Sequence, residues 1–293
     1  MRSLPRSRPS RSRRATRLAV VVGGAALALS GCSATTERGF LPKGVTSDAD
    51  RITSLWNGAW IAALAVGVLV WGLTIFSVVA FRKRKDDDSL PVQLRYNLPI
   101  EILYSAVPLF MIGVLFFYTA RDETALLKTS AQPDNVVNVI GKRWAWDFNY
   151  LSDDVYEPTT QTELTGSVED LNKPPVLYLP VNKTTQFVLT TRDVNHSFWV
   201  PAFLMKMDLI AGRVNKFEVT PTTVGTFQGK CAELCGAYHS QMLFRVKVVP
   251  QDEYDQHIAQ LKAEGNTGQL PNSLNLEQLA PGETEKIPTP GGN

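Results

Sequence analysis

Val136-Val137-Asn138-Val139-Ile140-Gly141-Lys142-Arg143-Trp144-Ala145-Trp146-Asp147-Phe148-Asn149-Tyr150 decides the architecture of this chain. Two runs rich in β-branched and aromatic residues, Val136–Ile140 and Trp144–Tyr150, flank a Gly-Lys-Arg break, which reads as strand, turn, strand. The same grammar recurs at Val176–Leu179, Thr185–Thr191, Val214–Val219 and Leu243–Val249, with Pro, Gly, Asn and Asp between the runs. Many short strands with turn signals, spread from about Asp134 to Pro250, predict an all-β sandwich or barrel. Beyond them, Asp252–Ala263 reads as a short terminal helix with His257 as a surface histidine. The Gly-, Pro-, Asn- and Glu-rich tail from about Gly265 is expected to be mobile.

On the N-terminal side the composition changes. Ala59 to Phe81 is a run of 23 residues without a charge, with Trp56 and Trp60 beside it, and Ile102 to Ala120 adds 19 more. Both are long enough to span a bilayer, and the aromatics near their ends suit its interfaces. The segment between them opens Arg82-Lys83-Arg84-Lys85, which places that loop in the cytoplasm and everything after Arg121 outside. The first 31 residues carry seven Arg and no acidic residue, followed by an apolar run from Leu18 to Leu29 that is too short to span. They read as a signal peptide. Its ending, Leu29-Ser30-Gly31-Cys32, resembles a bacterial lipobox and makes Cys32 the candidate for lipidation. The expected organisation is a signal peptide at 1–31, an exported segment at 32–55, spans at 56–81 and 100–120 around a cytoplasmic loop at 82–99, an exported domain at 121–250, and a terminal helix and tail at 251–293.

The formal charge of +2 depends on that leader; without it 23 basic and 28 acidic side chains remain, a net of −5. An acidic exported domain suits a basic partner through long-range steering. Nothing in the composition suggests nucleic-acid binding.

The chain has three Cys and three His, and two Cys and one His fall within nine residues in Cys231-Ala232-Glu233-Leu234-Cys235-Gly236-Ala237-Tyr238-His239-Ser240-Gln241-Met242. Two thiolates, an imidazole and a thioether so close together favour copper or zinc over hard cations. A structural zinc site or an exported disulfide between Cys231 and Cys235 are the alternatives. The three-residue Cys spacing and Met242 fit copper better than zinc.

This run closely resembles the copper loop of the cytochrome c oxidase subunit II family. Asp193-Val194-Asn195-His196-Ser197-Phe198, 35 residues before the first Cys, is similar to that family's other ligand segment. The resemblance covers roughly residues 50–250, and the lipobox leader resembles the Gram-positive form. It implies a cupredoxin-like Greek-key sandwich behind a two-helix transmembrane hairpin, in the bacterial cell membrane. It further implies a binuclear copper centre (CuA) bridged by Cys231 and Cys235. His196 and His239 would each bind one ion, with Met242 and the backbone carbonyl of Glu233 as weak ligands. The Glu233 carboxylate would face a magnesium or manganese site shared with subunit I.

By the same resemblance Trp144 accepts electrons from cytochrome c, although Lys142 and Arg143 stand where the family commonly has His-Gln. Glu101 would open a proton pathway, and Asp208 and Arg213 would meet subunit I. The implied partners are subunit I, with haem a, haem a3 and CuB, subunit III, and a soluble or membrane-bound cytochrome donor. The chain itself would bind no haem and reduce no oxygen alone. A thioredoxin-like copper chaperone lacks the His–Met pair after the second Cys, quinol oxidase subunit II lacks the copper ligands, and nitrous oxide reductase lacks the spans.

Overall fold

The computed structural model describes residues 34–83, 90, 93–158 and 174–272. The proposed signal peptide, Cys32, Arg84-Lys85 and the end of the tail lie outside the described residues. Residues up to Leu41 belong to one compact unit, described here as the short helix α1 (Ala34–Glu37) closed by Phe40 N–H donating to the Thr35 carbonyl at 2.9 Å. The second unit begins at Pro42 and contains all that follows.

Two long helices, α2 (Ala49–Ala80) and α3 (Leu98–Leu126), form the membrane part. They have 32 and 29 residues, about 48 and 43 Å of helix against a ~30 Å hydrocarbon core. Apolar side chains such as Val68, Trp71, Phe110 and Phe116 remain exposed on them, as expected of helices whose solvent is lipid. The helices therefore overrun the spans expected at 56–81 and 100–120, α2 starting earlier and α3 ending later. At the start of α3 the Asn97 side chain accepts from Ile100 N–H at 3.4 Å, and the Glu101 carboxylate accepts from Asn97 N–H at 2.9 Å. Two amides of the helix start are thus satisfied locally.

At the other end of the hairpin, Asp122 is buried and paired with Arg51 on α2 at 3.0 Å and with Arg121 at 2.8 Å. The segment leading into α2 is stitched to the β domain. Val45 N–H donates to the Ala202 carbonyl at 3.0 Å, Ser47 N–H to Thr220 at 3.0 Å, and Thr222 N–H returns to Val45 at 2.8 Å.

Among the described residues, the β domain is a sandwich of two five-stranded sheets. Its strands are β1 (Asn135–Lys142), β2 (Ala145–Tyr150), β3 (Val155–Glu157), β4 (Val176–Pro180), β5 (Thr185–Thr191), β6 (His196–Val200), β7 (Met205–Leu209), β8 (Asn215–Val219), β9 (Gly225–Cys231) and β10 (Leu243–Val249). The sheets run β3-β2-β1-β5-β8 and β4-β10-β9-β6-β7. The chain changes sheet between β3 and β4, β4 and β5, β5 and β6, β7 and β8, and β8 and β9. These changes leave two parallel pairs, β1 with β5 and β4 with β10.

Between the sheets, Phe198 stacks on Phe244 with ring centroids 4.7 Å apart, and Phe187 meets Phe198 at 5.1 Å and Phe217 at 5.2 Å. Cys231, Cys235 and Met242 belong to the same buried cluster. Aromatic packing of this kind, with large buried areas, is the main source of core stability.

Two expectations are corrected. His257, on the terminal helix α4 (Gln251–Ala263), is packed rather than a surface residue. Its ring stacks on Tyr178 at 3.7 Å, and Nε2 lies 2.9 Å from Glu157. The tail is not free from Gly265. Leu270 exchanges two 2.9 Å hydrogen bonds with the Asn149 side chain, and the Asn272 side-chain amide oxygen accepts from the Thr190 hydroxyl at 2.7 Å. Residues up to Asn272 cover polar side chains on the outer face of the first sheet, so Asn138 and Asn149 are buried there and hydrogen-bonded.

Candidate metal centre

The ligand residues converge because two strands of the second sheet end together. β6 begins at His196 and β9 ends at Cys231, with Phe198 paired to Cys231. Side chains on a strand alternate in direction, so His196 projects to the same inner face as Phe198. Past Cys231 the chain makes an eleven-residue excursion and returns at Met242. Its neck is closed by Cys231 N–H donating to the Met242 carbonyl at 3.1 Å and Ala232 N–H to Ser197 at 3.1 Å. The indole of Trp146, buried in β2, donates to the same Met242 carbonyl at 3.2 Å. Gly236 turns the loop with φ +122°, in the region that favours glycine.

Six donor atoms face one another. The Cys231 and Cys235 sulfurs are 3.9 Å apart. His196 Nδ1 is 3.9 Å from Cys231 Sγ, and His239 Nδ1 is 3.5 Å from Cys235 Sγ. The Glu233 carbonyl oxygen is 3.2 Å from Cys231 Sγ, and Met242 Sδ is 3.9 Å from Cys235 Sγ. An S–S bond is about 2.05 Å, so these sulfurs are separate thiols. Their separation is also less than twice a metal–thiolate bond of about 2.3 Å, so both can touch the same ion. A tetrahedral zinc needs four ligands and has no use for a buried thioether. Two sulfurs, each with its own imidazole and one weaker donor, suit a pair of soft, copper-like ions. The cluster of His196, Cys231 and Cys235 fits a copper site.

Asp193, three residues before His196, prepares that ligand. Its carboxylate lies 2.8 Å from His196 Nε2 and accepts from the amides of Arg143 and Val194 at 2.7 Å each. Burial opposes its ionisation, but the hydrogen bonds from His196 and the two amides outweigh this and hold it below the usual carboxylate range. With the proton on Nε2, the Nδ1 lone pair points at the sulfur, the arrangement metal-bound histidines generally require. Burial lowers the pKa of His196, only partly opposed by Asp193, so the ring is neutral and ready to bind. Burial, and then the neighbouring Cys231, push the Cys235 thiol up to about 12.

A pH dependence follows. Near neutrality, below that pKa, Cys235 carries its proton, and metal must displace it. Apparent copper affinity of the metal-free chain should rise with pH, by about tenfold per unit for each proton released. Competition titrations between roughly pH 6 and 8 check this; a flat profile contradicts it.

Trp144 is not in a strand core. It sits in the turn between β1 and β2, half-buried, with its ring edge-on to Tyr238 at 4.9 Å. A Cβ on Gly236 would lie 3.1 Å from its six-membered ring. The indole therefore lies directly on the Cys231–Met242 loop, one residue past Cys235. The Glu233 side chain is exposed, as are Asp208 on β7 and Arg213 in the turn after it. Glu101 lies in the first turn of α3, at the end of that helix opposite Asp122.

Asp193, Trp146, Tyr238 and Gly141 have places around the site that the sequence alone does not assign. The only available signals were the Asp-x-x-His spacing and adjacency to named residues.

Fold and site together define a membrane-anchored, cupredoxin-like protein with a soft-metal site at one end of its sandwich. Residues 135–249 match the family described as cytochrome C oxidase subunit II, periplasmic domain. A Streptomyces coelicolor protein named "Probable cytochrome c oxidase subunit 2" is 47% identical over 262 residues, 80% of this chain and 82% of that one. The Mycobacterium tuberculosis cytochrome c oxidase subunit 2 is 34% identical over 308 residues, 88% and 85% of the two chains. The crystal structure of the periplasmic domain of subunit II of cytochrome oxidase from Bradyrhizobium japonicum matches with 28% identity and a TM-score of 0.40, over 47% of this chain and 99% of that one. The chain belongs to the cytochrome c oxidase subunit II family.

Proposed function

We propose that this chain is the electron-receiving subunit of a proton-translocating haem–copper oxidase, and that its binuclear copper centre is held by His196, Cys231, Cys235, His239, Met242 and the Glu233 carbonyl. The convergence of two imidazoles, a thioether and a carbonyl on two unbonded thiols supports this reading most directly. When bound, the copper pair supplies a one-electron carrier.

The protein's own contribution is to keep that site rigid and dry. Cys231 and Met242 are anchored by the sheet and by the Trp146 indole, and Asp193 fixes His196. A site held this firmly rearranges little when its charge changes, which is what fast electron transfer demands. Trp144 is the electron-entrance residue, supported by its contact with Tyr238 and Gly236. Electrons leave toward the haems of subunit I, where oxygen is reduced to water.

Glu233 offers its exposed carboxylate to a magnesium or manganese ion shared with subunit I, and Asp208 and Arg213 belong to that interface. Glu101 stands at the entrance of a proton pathway; its hydrogen bond to Asn97 N–H keeps the carboxylate at the start of α3. Subunit III completes the complex, and Cys32 carries a lipid. The domain faces the extracytoplasmic side of the cell membrane.

The test is direct. The full chain in detergent, loaded with copper, should be purple with a near-infrared band that bleaches on one-electron reduction. Trp144→Phe in the assembled oxidase should slow reduction by cytochrome by at least about tenfold while leaving that band in place. A colourless protein that takes zinc would overturn the reading.

A further inference from the structure

The sign of charge around Trp144 is set by depth rather than by composition. The described residues that surround its turn include three cations, Lys142, Arg143 and Arg192, and two carboxylates, Asp147 and Asp193. Every carboxylate lies beneath the cation that pairs with it. Arg143 Nε is 3.5 Å from Asp193, and the two side chains are 50% and 12% exposed. Lys142 Nζ is 2.9 Å from Asp147, at 22% against 0%, and Arg192 reaches the same Asp147 at 2.9 Å. Arg192 is itself buried, at 8%, so an approaching protein meets the Arg143 guanidinium and, in part, the Lys142 ammonium beside a half-buried indole, with the balancing acids beneath them. The copper loop's own carboxylate, Glu233, precedes Cys235, whereas Trp144 packs on the Gly236–Tyr238 side.

We propose that the surface around Trp144 receives an electron donor with an acidic docking face. This opposes what the net charge of −5 suggests, and it rests on the reading of Trp144 as the electron-entrance residue. The chemistry is that of a transient redox interface, with an aromatic centre at Trp144 and Tyr238 and a cationic rim that steers a negative partner. Steering of this kind changes association rates by about 10–10³-fold and weakens as salt rises. Like charges brought face to face are rejected.

The experiment uses the intact oxidase in mild detergent and two forms of one probe, a basic soluble cytochrome c with native lysines and the same cytochrome succinylated on its lysines. Stopped-flow reduction of the copper centre should be at least about tenfold faster with the succinylated form at low ionic strength. That advantage should shrink as salt is added. Arg143→Gln should cut it severalfold. Faster reduction by the basic form at low salt, or a ratio that Arg143→Gln leaves unchanged, overturns the inference. Tetramethylphenylenediamine, a small neutral reductant, separates the two levels. If it bleaches the near-infrared band normally while the cytochromes fail to discriminate, the acidic-donor inference alone falls. If there is no band to bleach, the copper reading falls and this inference falls with it.

Discussion

Replacing Cys235 with serine should empty the centre of both metal ions and stop electron transfer from cytochrome to the oxidase. Its sulfur lies within 3.9 Å of three other donors, Cys231 Sγ, His239 Nδ1 and Met242 Sδ. In the proposed two-copper arrangement its loss would remove a ligand from each ion, not just one. Four-ligand sulfur and imidazole sites bind with apparent energies of about 10–16 kcal/mol, so one ligand carries roughly 3 kcal/mol or more. That is more than a hundredfold in affinity for each ion. The fold should survive, because serine is smaller than cysteine and the aromatic stack of Phe198 and Phe244 lies deeper. Near-infrared absorbance and metal content of the purified variant report the outcome. A C235S protein that keeps two copper ions and full turnover would refute the shared-ligand arrangement.

The second expectation concerns a residue that is not a ligand. Gly141 lies in β1 beneath the His196 ring, and a Cβ there would sit 2.8 Å from His196 Cδ2 and 3.0 Å from Leu209 Cδ2. The backbone at Gly141 cannot retreat. It is registered with Trp146 on one side and Thr191 on the other, and its carbonyl accepts from Arg192 N–H at 3.0 Å. Alanine at position 141 must therefore displace the imidazole. Overpacking of this kind costs about 1–3 kcal/mol, and disturbing a ligand's support typically costs 10–100-fold in metal affinity. Gly141→Ala should bind copper at least about tenfold more weakly and shift its visible spectrum, with circular dichroism showing the sheets intact. Unaltered affinity and colour in this variant would show that His196 is not held where the structure puts it.

Much of this was legible in the sequence, for physical reasons that differ from element to element. Long charge-free runs announce helices in lipid regardless of tertiary context, so both spans were expected, although their ends were not. α3 runs on to a buried Asp122 held by Arg51, 71 residues earlier, which no local window reveals. Six of the strands follow from β-branched and aromatic runs. β3 is only three residues long, and β6, β7 and β9 are signals interrupted by His, Lys, Asp and Gly that carry or flank the site. The candidate ligands stood out because cysteine and histidine are scarce and their spacing is distinctive, and the fold brings their donor atoms together.

Gly141 and Asp193 were not assigned, because their roles depend on β1 and the β5–β6 turn arriving beside the same imidazole. His257 and the segment after Gly265 were misread for a related reason. Composition judged them exposed, whereas Tyr178, Asn149 and Thr190 supply partners that only the folded sheets bring near.

The stitched segment ahead of α2 has a mechanical consequence. Hydrogen bonds tie residues 45–47 to both the turn after β6 and the one after β8, and the helix starts at Ala49. The end of the sandwich away from His196 is therefore mounted without slack, and the domain cannot swing on a stalk. Tunnelling between redox groups fades steeply with separation. For the proposed electron carrier, such a mount would turn folding stability into a constant jump length, set once when the chain folds rather than searched for at every turnover.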